Sequence, residues 1–297
     1  MIIIGAANGR IGQNLLKRVS QSSLRDHVYG GVRDIEKSRG QIEPYCAGAI
    51  TVDYADKDAL ETRFEGAERV VLIPSYADTE ARGSQFENVI AAAQAAGVQQ
   101  VIFVGIMDTR SYSPLPFAHA YGRGEAALHA SKLDFVILRT SMYIDNLEEQ
   151  YPMWLKRGEL ITAAGDGAIG YVSRNDIAAS ILAVLSDPVE AHARRTYWLT
   201  GPEALNYAQV GEKLSAFFGN DIALTHVAEE EFAARLLDVW GVAYEGAEHV
   251  AKVTSKFQMV FREGLMSPVT RHVEMLTGQK PESVEEWFKR NIDPSGS

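Results

Sequence analysis

The chain has 297 residues, 46% of them hydrophobic and 23% charged, with a net charge of −10. This is a globular composition with room for about two domains, and it excludes a nucleic-acid surface, since no basic cluster is there to displace phosphate counterions. The single cysteine, Cys46, excludes a disulfide framework and a thiolate zinc site; the seven histidines show no ligand spacing, and no apolar run is long enough to span a bilayer, so a cytoplasmic location is expected.

Residues 1–12 open the chain with three isoleucines that read as a buried parallel strand. Gly5, Gly9 and Gly12 then turn into a helix, where Ile11, Leu15, Leu16 and Val19 share one face. Strand, glycine-rich turn and helix make the first crossover unit of a dinucleotide-binding sheet. One glycine permits the turn, one lets backbone N–H groups approach a pyrophosphate, and one lets helix and strand pack closely. Asn8, Gly9, Arg10 and Ile11 surround the helix N-terminus, whose unpaired N–H groups suit a phosphate. The spacing G-x-x-x-G-x-x-G departs from the common G-x-G-x-x-G.

Further strands are predicted over 27–32, 49–52, 69–73, 101–104 and 135–138, with helices over about 78–96, closed by Gly97, and 119–131. Continuous apolar strands alternating with helices predict a parallel sheet covered on both faces. Beyond Arg139 helices dominate, at about 144–156, 175–186, 206–218, 229–238 and 244–263, with short strands near Leu160, Tyr171, 196–199 and 223–227. The tail from Pro294 reads as disordered. The expected fold class is α/β, a Rossmann-type doubly wound parallel sheet with a smaller irregular α+β C-terminal substrate region. Residues 1–140 form the dinucleotide-binding part, 171–200 return to it, and 141–297 are mainly the cap.

The end of the second strand decides the dinucleotide. It reads Val32, Arg33, Asp34, with no acid closing the strand to accept from a ribose hydroxyl. The Arg33 guanidinium can hold a 2′-phosphate bidentately and Lys37 can add a second charge, which reads as NADPH. Asp34 reads as the N-cap of the next helix. Asp53 and Tyr54 follow the third strand on the adenine side, where Asp53 either accepts from the adenine amino group or serves as a turn residue. Ile73, Pro74 and Ser75 follow the fourth strand, and Gly105 closes the fifth; both loops should open toward the ribose and nicotinamide.

These residues resemble the NmrA-like branch of the atypical short-chain dehydrogenases, and within it the type 2 NAD(P)H:quinone oxidoreductases. The resemblance rests on the glycine turn and on GVRD at 31–34, VDYAD at 52–56, LRTSMYIDN at 138–146, YVSRNDIA at 171–178, LTGPEALNYAQV at 199–210 and LTGQKP at 276–281. It implies a Rossmann fold, NADP binding and a C-terminal substrate region. Short-chain dehydrogenases that reduce ketones use Y-x-x-x-K and a serine after the fifth strand. Here Tyr121 is followed four residues on by Glu125, which takes the lysine position beside the cofactor, and the fifth strand ends in Gly105 and Ile106. Glu125 is expected to raise the Tyr121 pKa where a lysine would lower it. Ordinary alcohol dehydrogenase or sugar epimerase activity is therefore not expected.

An acceptor whose reduction gives a stabilised anion or a neutral product needs no such acid. Quinones, azo compounds and cationic dyes qualify, and hydride transfer to them needs mainly proximity and an apolar pocket. Tyr143 and Asn146 follow the sixth strand at the nicotinamide and substrate edge, and His119 and Tyr121 precede the helix at the crevice; these four shape the substrate side. Trp154, Trp198, Trp240, Trp287 and the methionines read as core. Lys252, Lys256 and Arg262 read as a solvated helix face. Three functions fit: an NADPH-dependent reductase of a small-molecule hydride acceptor, a non-catalytic dinucleotide sensor with a protein partner, and an imine or iminium reductase. A homodimer is compatible with each; a nucleic-acid or membrane partner is not expected.

Overall fold

A computed structural model describes residues 1–115, 117–240 and 247–293. In chain order the first half runs β1 (Ile2–Ile4), α1 (Arg10–Val19), β2 (Val28–Val32), α2 (Ile35–Ile42), β3 (Gly48–Thr51), α3 (Lys57–Phe64), β4 (Arg69–Leu72), α4 (Thr79–Ala95), β5 (Gln100–Ile106), α5 (Ala118–Ala130) and β6 (Asp134–Thr140). The rest comprises α6 (Tyr151–Arg157), β7 (Glu159–Thr162), α7 (Arg174–Ser186), β8 (Arg195–Leu199), α8 (Tyr207–Phe218), β9 (Ala223–His226), α9 (Glu229–Trp240), α10 (Ala247–Arg262), α11 (His272–Thr277) and α12 (Val284–Asn291).

Seven strands form one sheet in the order β3-β2-β1-β4-β5-β6-β8, parallel throughout. The alternation of side chains along β1 divides the core. Ile2 and Ile4 pack with α1 and α7 on one face, and Ile3 packs with α3, α4 and α5 on the other. This is the doubly wound Rossmann arrangement, with the order reversing between β1 and β4. Ligands in such sheets sit outside the carboxyl ends of the strands at that reversal.

Side chains fix where the helices begin. Asp34, Asp56, Asp78 and Ser173 accept from backbone N–H groups at the starts of α2, α3, α4 and α7. Gly97 takes a left-handed φ of +73° just past α4, and its N–H donates to the Gln94 carbonyl. A third core joins Trp154, Leu160, Ile169, Tyr207, Phe261, Trp287 and Phe288 in the C-terminal region, where β7 and β9 form a separate two-stranded parallel sheet.

Several expectations need correction. The helix expected over 144–156 is a 3-10 turn, Ile144–Glu149, followed by α6. Tyr171 begins no strand; its neighbourhood makes isolated bridges, Tyr143 with Val172 and Ile169 with Leu205. Trp154 and Trp287 are core, but Trp198 is 37% exposed and Met275 61% exposed. The alternation along the edge strand β8 buries Tyr197 and Leu199 and leaves Trp198 on the other side. The side chain of Trp240, residues 244–246 of the helix expected at 244–263, and the tail from Pro294 lie outside the described residues.

Candidate cofactor and substrate site

The glycine turn is built differently from its sequence reading. The residue in the left-handed region is Ala6, at φ +49°; Gly5, Gly9 and Gly12 all have ordinary φ. Gly5 is required by close approach, because a Cβ there would lie 1.9 Å from the Tyr54 hydroxyl. Gly12 is required by packing, since a Cβ would stand 2.6 Å from the Ala7 carbonyl oxygen. The working spacing is therefore Ala6-x-x-Gly9-x-x-Gly12. Gly9 is the N-cap of α1, no side chain caps it, and no acid occupies the first turn. The leading N–H groups of α1 thus face a region where Asn8, Gly9 and Arg10 are exposed, as a pyrophosphate would need. Ile11 and Gly12 are buried behind them.

At the end of β2, Arg33 is exposed and has no ionic partner among the described residues. Lys37 is instead engaged, its Nζ 2.9 Å from the Asp34 carboxylate, which also caps α2. Asp53 accepts from the Ala55 N–H at 3.0 Å in a local turn, which leaves one carboxylate oxygen over. Tyr54 is buried beneath the turn and donates to the Ile73 carbonyl at 3.0 Å, so its hydroxyl is committed to packing Gly5 against β4. Ile73 is buried, Pro74 half-buried, and Ser75 donates to Gln85 at 2.7 Å. Gly105 is buried, and its carbonyl accepts from Thr140 Oγ1 at 2.9 Å.

On the substrate side, the segment after β6 is tied down by Arg174. Its backbone N–H donates to Asp145 at 2.9 Å, its Nη2 donates to Asn146 Oδ1 at 2.8 Å, and its guanidinium stands 5.1 Å from the Tyr143 ring centroid. Thr140 Oγ1 is 3.4 Å from the Tyr143 hydroxyl. Arg10 lies 3.8 Å from Glu148, which brings the glycine turn close to this segment across the crevice. Burial raises the Tyr143 pKa.

His119 and Tyr121 do not precede α5; both lie in its first turn. His119 is exposed, whereas Tyr121 is buried against Phe86 and Phe103. The Tyr121 pKa is strongly raised, but by burial and then by Tyr143, with Arg82 pulling the other way. Glu125, expected to raise it, is not among the causes. The reason is Arg139, whose Nε donates to Glu125 at 2.8 Å and whose Nη2 reaches the other carboxylate oxygen, so the acid's charge is cancelled locally. Glu125 is buried in that pair and directed toward Thr109.

The sequence reading missed Arg82, Arg139 and Arg174. Arg82 was visible as a cation one turn before Phe86 on the predicted apolar face of α4. Arg139 and Arg174 lie inside the motifs at 138–146 and 171–178, but their partners are distant in sequence. Among the described residues there is no cluster able to hold a metal and no helix long and apolar enough to cross a membrane.

A family model described as NAD(P)H-binding matches residues 6–188. Quinone oxidoreductase 2 of Escherichia coli is 31% identical over 242 residues, covering 80% of this chain and 82% of that one. An NAD(P)H azoreductase of Xenophilus azovorans is 22% identical over 303 residues, the full length of both. The crystal structure of an NADPH-dependent quinone oxidoreductase from Escherichia coli, complexed with NADPH, superposes with a TM-score of 0.90 at 26% identity, covering 99% of this chain and 100% of that one.

Proposed function

The chain belongs to the NAD(P)H-binding family, in the NmrA-like branch of the atypical short-chain dehydrogenases, and is an NAD(P)H-dependent oxidoreductase; from that premise we propose that it transfers hydride from NADPH to a quinone-like or conjugated small-molecule acceptor. The observation that carries this reading is the state of Tyr121. It is a buried phenol with a raised pKa, and the residue four positions on is an acid locked to Arg139. Such a tyrosine is a poor proton donor to an alkoxide, which favours acceptors that need none.

The residues suited to NADPH follow β1, β2, β3 and β4 in the chain or close β5. The N–H groups at the start of α1, with Gly9, Arg10, Ile11 and Gly12, would hold the pyrophosphate. Arg33 would hold the 2′-phosphate through charge-assisted hydrogen bonds. Asp53, the loop at Ile73, Pro74 and Ser75, and Gly105 near the end of β5 would border the adenosine and nicotinamide. Bound there, the cofactor supplies the hydride. The chain supplies position, exclusion of water and electrostatics. Tyr143 and Asn146, held by Arg174, would border the acceptor; His119, exposed on α5, would lie at the rim.

That the similar proteins include a quinone oxidoreductase and an azoreductase supports conjugated acceptors. The test is absorbance at the reduced nicotinamide band with a panel of quinones and azo compounds. Steady, acceptor-dependent NADPH consumption is expected. A flat trace across the panel, with tight and redox-selective binding of the nucleotide, would instead establish a sensor.

A further inference from the structure

Arg82 lies in the first turn of α4 and is 8% exposed. Its Nη2 donates to the Ala77 carbonyl at 3.0 Å, and its guanidinium carbon stands 4.3 Å from the Phe117 ring centroid and 5.9 Å from that of Tyr121. Its Nε is buried without a hydrogen-bond partner, and no carboxylate pairs with it among the described residues. What sets Arg82 apart is the missing carboxylate and not the bare Nε, which Arg18 and Arg69 share: Arg139 pairs with Glu125, Arg123 with Glu80 and Glu87, Arg174 with Asp145, and Arg69 stands 3.4 Å from Glu68 while donating to three carbonyls; Arg18 donates to the Asn175 side chain. A buried cation without a counter-charge is costly. Cation–π contact with Phe117 offsets only part of that cost.

The place is informative. Arg82 sits beyond the carboxyl end of β4, beside the start of α5 and the tyrosine that follows β6. Phe117 in turn touches Phe257 of α10, 6.5 Å between ring centroids, so the cation lies where the C-terminal region meets the sheet. The guanidinium hydrogen-bonds the Tyr121 hydroxyl and its charge also reaches Tyr143, while burial raises the pKa of both phenols.

We propose that Arg82 holds the oxygen anion formed on a neutral conjugated carbonyl acceptor, and thereby selects quinones over cationic acceptors. The proposal rests on the reductase reading above. Hydride addition to a neutral quinone breaks one C–H bond on the reduced cofactor and forms one bond to hydrogen on the acceptor. The cofactor is oxidised, the acceptor is reduced by two electrons, and it becomes a hydroquinone monoanion that water protonates on release. A guanidinium already in place, in a low-dielectric surround, stabilises that charge as it develops. A cationic dye or an iminium ion arrives with a charge that Arg82 repels and leaves neutral, so it gains nothing from the site.

The test compares the wild-type chain with Arg82→Gln and Arg82→Lys, using NADPH with 1,4-benzoquinone and with a cationic triarylmethane dye. The wild type is expected to prefer the quinone. Arg82→Gln should lower the quinone kcat about a hundredfold with little change in KM, Arg82→Lys should retain part of the rate, and the dye rate should not fall. A second readout needs neither turnover nor cofactor: the anion of 2-hydroxy-1,4-naphthoquinone, titrated by its absorbance, should bind at least tenfold more weakly to Arg82→Gln. The NADPH affinity should stay the same. Equal losses for quinone and dye, unchanged anion binding, or a wild type that prefers the dye would overturn the proposal. If no acceptor is reduced but anion binding still depends on Arg82, the anion site stands and the reductase reading falls.

Discussion

The Glu125 carboxylate and the Arg139 guanidinium meet in a two-pronged ion pair that joins α5 to the end of β6, at the position where a tyrosine–lysine reductase carries its lysine. The pair leaves that position with no net charge to work on Tyr121. Glu125→Gln should strand most of the Arg139 charge and lower stability by about 2–3 kcal/mol, toward the low end for a buried pair because Arg139 is partly exposed. Glu125→Lys places two cations together, and should destabilise more while creating no dyad. Urea denaturation read alongside the reduction rate checks both; a Glu125→Lys variant that folds well and gains ketone reductase activity would contradict this.

The pH profile follows from the two tyrosines. Burial raises the pKa of both Tyr121 and Tyr143, so in the folded chain each keeps its proton to a higher pH than a free phenol. Neither changes charge between pH 6 and about pH 9. Initial rates of quinone reduction over that range should give a flat kcat/KM from these groups. Tyr121→Phe should leave the rate within a few-fold. A limb near neutral pH that disappears in Tyr121→Phe would show an activated phenol after all.

The turn makes a prediction in which neighbouring substitutions act in opposite directions. Ala6 bears the left-handed conformation, at about 1–2 kcal/mol for a non-glycine residue. Ala6→Gly relieves this but loosens the unfolded chain by about 0.4–1 kcal/mol, so a net gain between about zero and 1.6 kcal/mol is expected. Gly12→Ala drives a Cβ into the Ala6 and Ala7 backbone and should cost more than about 2 kcal/mol. Gly5→Ala collides first with the Tyr54 hydroxyl, so Tyr54→Phe should recover part of its loss. Chemical denaturation of the single and double variants gives these differences, and additivity of Gly5→Ala with Tyr54→Phe would refute the collision.

The strands from β1 to β6 were legible because apolar runs in a fully covered sheet are unbroken and end at Gly, Pro or charge. The glycine turn was legible as a turn, but not in its register. Sequence cannot show that Ala6 takes the unusual φ, or that Gly5 is there for the Tyr54 hydroxyl 49 positions away. The expectation for Glu125 had the right residue and the wrong electrostatics, since its partner lies on another element. Trp198 misled because a large aromatic residue was assigned to the core without knowing that β8 forms the sheet edge. Arg82 could have been found: an arginine in step with Phe86, Val89, Ile90 and Ala93 is a cation on a face that otherwise avoids water. Asp34 is legible as an N-cap from local chemistry alone, and capping needs nothing more.

The central claim is that Arg33, exposed at the end of β2, holds the 2′-phosphate of NADPH. Titration of NADPH and NADH against the wild type and Arg33→Ala, followed by nicotinamide fluorescence, tests it directly. A lost charge-assisted contact of about 1.5–3 kcal/mol predicts a ten- to hundredfold weaker NADPH affinity and an unchanged NADH affinity. Equal weakening of both nucleotides, or of neither, would contradict the account.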